Sequence, residues 1–375
     1  MEDFITKEST IIFSPVFNKS IDINLLSSYN KIIFSNYVLV DDFFEKYSNN
    51  DFNNLKLSYS SFNQPIQLPE KLTHLIFGWE FNQSIKLPEN ITHLTFDHYF
   101  NQPVELPSNI IMITFGFNFN QPVELPEKLT HLTFGYEFNH PVELPSNLTH
   151  LTFNYYFNKQ IELPEKLTHL TLGKCFNQPI KLSSNLIMIT FDLYFFQLLE
   201  LPEKITHLTF GESFNLPIEL SPNITHLTFG RYFNQSIVLS EKITHLTFDH
   251  YFNQPVVLPP NITYLTFGYE FNQPVELPEN LTMITFGNDF NQKVDFPFSL
   301  KYLKLEHDKP HNLDYLPIGI EVLGLGINFN SSLDNLPNSL KIIKLFKKNF
   351  KGSLKCLPIN TKIEYYKILP YNFYT

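Results

Sequence analysis

The 375-residue chain has no alanine, one arginine (Arg231), one tryptophan (Trp79), four methionines and two cysteines. Alanine is the strongest helix former, and its absence beside 26 prolines disfavours long helices. The cysteines, Cys175 and Cys356, are too far apart to suggest a disulfide framework or a metal knuckle, which fits a reducing compartment. Nowhere do eighteen apolar residues follow one another, and the opening MEDFITKESTIIF lacks a basic n-region and a continuous apolar run. The expectation is a cytoplasmic protein without membrane insertion. A net charge of −10 argues against nucleic acid as a partner, since that footprint needs clustered Lys and Arg. There is no phosphate loop, no paired CxxC, no HExxH and no recognisable nucleophile, base and orienting acid, so neither a catalytic site nor a cofactor is expected.

What is abundant is Phe (39) and Tyr (19), and the phenylalanines are periodic. Phe recurs every 19 residues at 62, 81, 100, 119, 138, 157, 176, 195, 214, 233, 252, 271 and 290, heading units such as FNQPVELPEKLTHLTFGYE from Phe119. Prolines such as Pro122 and Pro126 exclude a helix within the unit, while Leu132 and Phe134 alternate around Thr133 as a strand with one buried face requires. The expected inward side chains of this unit are Phe119, Val123, Leu125, Leu129, Leu132 and Phe134. One such layer cannot offset the entropy of ordering its own backbone, so the units must stack. The fold class is therefore a β solenoid: a leucine-rich-repeat-like, right-handed coil of 19-residue units with a parallel sheet on one face and an extended, largely non-helical opposite face. Residues 1–61 read as degenerate repeats forming an N-terminal cap, with strands near Ile11 and Ile32. Residues 62–296 hold the regular units, and 297–375 hold divergent, Lys-rich repeats and a C-terminal cap. Strands are expected at Leu300–Leu305, Ile320–Leu325 and Leu340–Leu345, with the signature pair retained at Phe329-Asn330. From Gln292 onward the chain carries about +5 and the remainder about −15, a basic end suited to a solvated cap or to an acidic partner.

Several columns of the repeat invite specific readings. After each strand stands only Gly, Asp or Asn, which suggests a left-handed turn. Asn follows the leading Phe at Asn63, Asn82, Asn101, Asn120, Asn139, Asn158, Asn177, Asn215, Asn234, Asn253, Asn272 and Asn291, the pattern of a stacked amide ladder satisfying backbone groups. Phe196 breaks that series, and Leu198 replaces the usual proline beside it, so this coil either exposes apolar bulk or distorts the stack. A strand-face column of His74, His93, His131, His150, His169, His207, His226 and His245 reads as a surface ladder rather than a metal site, since no acidic residue shares it. Stacked imidazoles repel when protonated, which should hold their pKa values below the ordinary value. The two residues preceding each repeat Phe vary freely. Their aromatics and the sole Arg supply a candidate partner-binding rim of Trp79, Tyr99, Phe117, Tyr136, Tyr155, Tyr156, Arg231, Tyr232, Tyr251 and Tyr269, although the same rings could stack on one another between coils. Sequons such as Asn90 to Thr92 arise by copying of the unit.

The recurring LPEKLTHLTFGYEFNQPV resembles the FNIP repeat family, a branch of the leucine-rich repeats, over Phe62 to about Phe296; the 19-residue unit is short for that family. It is also similar to the short bacterial leucine-rich repeat with a non-helical convex side. The resemblance implies a protein of amoebae or of large viruses that infect them, and often a ubiquitin-ligase substrate receptor with an F-box ahead of the repeats, although no F-box is visible here. A non-catalytic scaffold for a host or cellular protein is the expected function, with a ligase adaptor as the alternative.

Overall fold

A computed structural model describes residues 3–306, 316–326, 333, 336–345 and 357–365. Phe329-Asn330, Cys356 and the last ten residues of the expected C-terminal cap lie outside them. The chain divides into two compact units, residues 1–192 and 193–375.

In the first unit β1 (Phe4–Lys7) pairs antiparallel with β2 (Thr10–Phe13). Then β3 (Lys31–Phe34), β4 (His74–Ile76), β5 (His93–Thr95), β6 (Met112–Thr114), β7 (His131–Phe134), β8 (His150–Phe153), β9 (His169–Leu172) and β10 (Met188–Phe191) follow side by side and parallel. From β4 onward the register equals the sequence period, with His74 opposite His93 and Leu132 opposite Leu151. Each residue therefore lies beside its own copy. The antiparallel β1 covers the strand edge that a parallel stack would otherwise leave bare.

The second unit is a parallel series of β11 (His207–Thr209), β12 (His226–Phe229), β13 (His245–Phe248), β14 (Tyr264–Thr266), β15 (Met283–Phe286), β16 (Tyr302–Leu305), β17 (Val322–Leu325), β18 (Ile342–Leu345) and β19 (Lys362–Tyr365). The strands expected at 300–305, 320–325 and 340–345 are present. After Tyr302 the offset lengthens by one residue, pairing Tyr302 with Val322 and Val322 with Ile342.

Inside the coils, each strand-end Phe stacks on the Phe that heads the next unit, as in Phe77–Phe81 and Phe134–Phe138, with centroids 3.6 and 3.7 Å apart. Successive coils continue the column: Phe134 lies 5.3 Å from Phe153. Phe119, Leu129, Leu132 and Phe134 are fully buried. Val123 and Leu125, expected in the same layer, are only half-buried. They flank Pro122 and Pro126 on the extended side, where a tight turn closes with the Leu129 N–H donating to the Pro126 carbonyl. The core is thus a four-residue layer with a looser back.

The Gly column needs a different reason from the one its composition suggested. Among the described residues no glycine has a positive φ. A Cβ on Gly135 would instead stand 1.7 Å from the Gly116 carbonyl oxygen, so close approach of adjacent coils selects glycine there.

Residues 35–73 form a longer excursion between β3 and β4. Its helix α2 (Phe43–Ser48) inserts Phe43 into a cluster with Ile12, Ile33 and Leu55, against which Ile76 also packs. These isoleucines occupy the strand-face column that carries Thr from Thr95 onward. The face is apolar where α2 covers it and hydroxylated where it is bare. A further helix, α1 (Ile23–Leu26), is a single turn capped by the Asp22 carboxylate, which accepts from the Asn24 N–H.

Candidate functional site

Four ladders run along the coils. The first is made by the Asn that follows each repeat Phe. Asn82 Oδ1 accepts from the backbone N–H of Asn101 at 3.0 Å and from Gln102 Nε2 at 3.1 Å, and Asn101 does the same for Asn120 and Gln121. The bonding runs from Asn18 to Asn177 in the first unit and from Asn215 to Asn291 in the second. In the coil that departs from the pattern, Phe196 offers no such acceptor, and the Asn215 N–H has no protein partner among the described residues. Leu198 is 74% exposed, so this coil projects its apolar bulk into solvent.

A second amide ladder, which sequence reading missed, lies at the turn before the strand. Asn147 Nδ2 donates to the Glu127 carbonyl at 2.8 Å, while its Oδ1 accepts from Lys166 Nζ at 2.6 Å. Lys128 bonds Asn109 and Lys242 bonds Asn223 in the same way. The signal was visible in the alternation of Ser-Asn or Pro-Asn with Glu-Lys at this step from Ser108-Asn109 to Pro260-Asn261, a two-coil superperiod that Glu89-Asn90 and Glu279-Asn280 bound. The same bond to the preceding coil employs the side-chain nitrogen of sequon residues Asn90 and Asn147.

The strand-face column is a stack of imidazoles. Rings of His131, His150 and His169 lie 4.2 and 4.3 Å apart, and those of His207, His226 and His245 lie 4.2 and 4.1 Å apart. Each His Nδ1 sits 2.8–2.9 Å from the hydroxyl of the preceding Thr. Thr92, Thr149 and Thr225 give their one hydrogen to a carbonyl of the coil before. Nδ1 must then be the protonated nitrogen, leaving Nε2 as an outward acceptor. Burial holds His74, His93, His150, His226 and His245 below the ordinary imidazole range, and neighbouring cations add to it, chiefly other imidazoles. Repulsion, the expected cause, is thus the smaller one. His74, which also faces Lys31, is brought to about 4. Met112, Met188, Tyr264, Met283 and Tyr302 interrupt the column. Among the described residues no group of three His, Cys, Asp or Glu is placed to hold a metal ion.

The rim residues are the two central positions of the turn after each strand. Their backbone forms its own ladder, with Tyr99 N–H donating to the Trp79 carbonyl and Tyr156 N–H to that of Tyr136. The first position of each pair makes an inter-coil stack: Trp79, His98, Phe117, Tyr136 and Tyr155 follow one another, preceded by Tyr59 from the excursion, at 3.9–4.6 Å, with Lys174 5.0 Å above the Tyr155 ring. The second position holds Tyr99 and Tyr156, which stand perpendicular to Trp79 and Tyr136 and are 41% and 42% exposed. In the second unit Arg231 lies over Tyr232 and Tyr251, and Tyr269 stacks on His250 at 4.8 Å. Cys175, also a rim residue, is a free thiol.

The FNIP Repeat pattern matches residues 62–99, 81–118, 100–137, 119–143, 138–175, 237–270, 252–289 and 271–306. A solved structure described as "CroV588 a novel circular LRR protein structure" is 34% identical at a TM-score of 0.69, covering 97% of this chain and 70% of that one. The chain belongs to the FNIP repeat family. The fold is shared more widely: YopM from Yersinia enterocolitica WA-314 is 17% identical at a TM-score of 0.56, over 94% of this chain and 76% of its own. No curated protein matches the chain. The FNIP and leucine-rich-repeat solenoid is a scaffold fold suited to protein–protein interaction and typical of non-catalytic proteins. No described helix is long and apolar enough to cross a membrane.

Proposed function

We propose that this FNIP repeat protein is a non-catalytic scaffold in the cytoplasm, that of the host if the chain is viral, and that it binds a host or cellular protein through its strand face and aromatic rim. One observation carries the reading. From His74 to Thr190 in the first unit, and from His207 to Thr285 in the second, the outward strand residues include no Lys, Arg, Asp or Glu, and each uncharged face is bordered by exposed rim aromatics. Low charge with accessible Tyr and Met is the composition of interface centres. Ile111, Met112, Ile187 and Met188, each more than a third exposed, add apolar contact area on the same face.

The stacked rings fix which residues to test. Trp79, Tyr136 and Tyr155 support the stack, whereas Tyr99 and Tyr156 stand perpendicular to it, and Tyr232 is exposed while its ring stacks on Tyr251. Affinity purification from the native cell supplies the partner, and calorimetry then compares Tyr99→Ser, Tyr156→Ser and Tyr232→Ser with the parent. The expected result is weaker binding with unchanged circular dichroism. Unaltered affinity in all three would refute the rim, and copurified ligase subunits would favour the adaptor reading.

A further inference from the structure

We infer that a hollow in the first unit, between the Asn ladder and the rim, binds an extended neutral oligosaccharide. The hollow has a volume of about 380 Å³ and is lined by Asn82, Tyr99, Asn101, Asn118, Asn120 and Glu137. Its two sides come from different columns of the repeat. One side is three successive ladder amides, and the other is the second rim residue of three successive turns.

The ladder bonding dictates what the first side presents. The Oδ1 atoms of Asn82, Asn101 and Asn120 are all committed to the next coil. Their Nδ2 groups donate to no protein group among the described residues, so three amide donors recur one coil apart, at about 4.8 Å. On the other side the Tyr99 hydroxyl, the Asn118 amide and the Glu137 carboxylate likewise make no hydrogen bond to protein among the described residues. Tyr99 stands at 89° to Trp79 and 83° to His98, which leaves part of its ring surface accessible.

This donor and acceptor set selects among ligand classes. No Lys, Arg or His lines the hollow and one carboxylate does, which disfavours phosphate, sulfate and nucleotides. Apart from the Tyr99 ring there is no apolar lining for a lipid chain or a hydrophobic peptide anchor. A peptide strand advances about 3.3 Å per residue and would fall out of step with the amides within two residues. A β-1,4-linked sugar chain advances by a step close to the coil spacing. It carries neighbouring hydroxyls that both donate and accept, which suits planar amides and a carboxylate, and its C–H face suits a tyrosine ring.

The site goes beyond the proposed protein interface and shares only Tyr99 with it. Isothermal calorimetry on the full chain with cellohexaose, and with maltohexaose as the α-linked control, tests it. Asn101→Asp keeps the Oδ1 acceptor that the ladder needs and removes the Nδ2 donor; Glu137→Gln removes the carboxylate. Each is expected to weaken cellohexaose about 10-fold with unchanged circular dichroism, while Asn253→Asp in the second unit leaves binding intact. Absence of cellohexaose binding at millimolar concentration, equal binding of maltohexaose, or an affinity indifferent to both Asn101→Asp and Glu137→Gln would overturn the inference.

Discussion

Phe196→Asn is expected to stabilise the second unit by restoring one rung of the Asn ladder. In the parent the Asn215 N–H has no protein acceptor among the described residues, whereas the equivalent N–H of Asn234 reaches Asn215 Oδ1 at 2.9 Å. Asn215 is half-buried, so water satisfies part of the loss and the restored bond is worth about 0.5–1.5 kcal/mol rather than the full penalty of a buried orphan. Solenoid coils open locally, so the effect belongs to a single amide before it belongs to a melting temperature. Native-state hydrogen exchange reads it directly: the Asn215 amide should exchange faster than that of Asn234 in the parent, and slow by about 2- to 13-fold in Phe196→Asn. Equal protection of Asn215 and Asn234 in the parent, or no slowing in the variant, would refute the reasoning by showing that another acceptor takes the ladder's place.

The converse substitution, Asn101→Ala, should expose the Asn120 amide to faster exchange and cost about 1–3 kcal/mol locally, measured by the same exchange experiment. Histidines whose folded pKa is depressed stay neutral while the unfolded chain takes up protons; their contribution to stability is complete above pH ~6.5 and is lost as pH falls toward the folded values. Urea unfolding between pH 7.5 and 4.5 should show that loss, and His226→Gln should reduce it; a flat profile would contradict the half-buried stack. Trp79, held between Tyr59 and His98, makes its fluorescence a reporter of His98, whose pKa is lowered chiefly by burial. Emission should change with a midpoint below pH ~6.5 and lose that transition in His98→Gln. Gly135→Ala places a methyl against the Gly116 carbonyl and should destabilise by about 1–3 kcal/mol, as measured by denaturant unfolding.

The coil was legible because its period is a contact map: a residue 19 positions away is the neighbour in the next strand, so the alternation of Leu132, Thr133 and Phe134 fixed both faces at once. The looser back was not legible, since Val123 and Leu125 are as apolar as Leu129 and only the turn at Pro126 decides that they stay half-buried. Gly135 was misread because glycine serves both positive φ and close approach, and one sequence does not separate the two. The α2 excursion left a trace in Ile12, Ile33 and Ile76, which stand where later units carry Thr, but its helix has no counterpart in the repeat. At the rim, sequence showed which positions vary; only coordinates showed that Trp79 and Tyr136 lean on their neighbours while Tyr99 and Tyr156 stand apart.

The Asn–Lys alternation at the turn before the strand has a consequence for how such a chain can change length. Removing the coil of Asn147 would set Lys128 directly against Lys166, two ammonium groups with no amide oxygen between them. Removing that coil together with the next would bring Lys128 beside Asn185 and preserve the pattern. Doubling an asparagine coil is tolerated, as the adjacent Asn90 and Asn109 show, each donating to a carbonyl of the coil before it. The heritable quantum of length in this protein is therefore a pair of coils, and an odd coil has a place only where two asparagines can stand side by side.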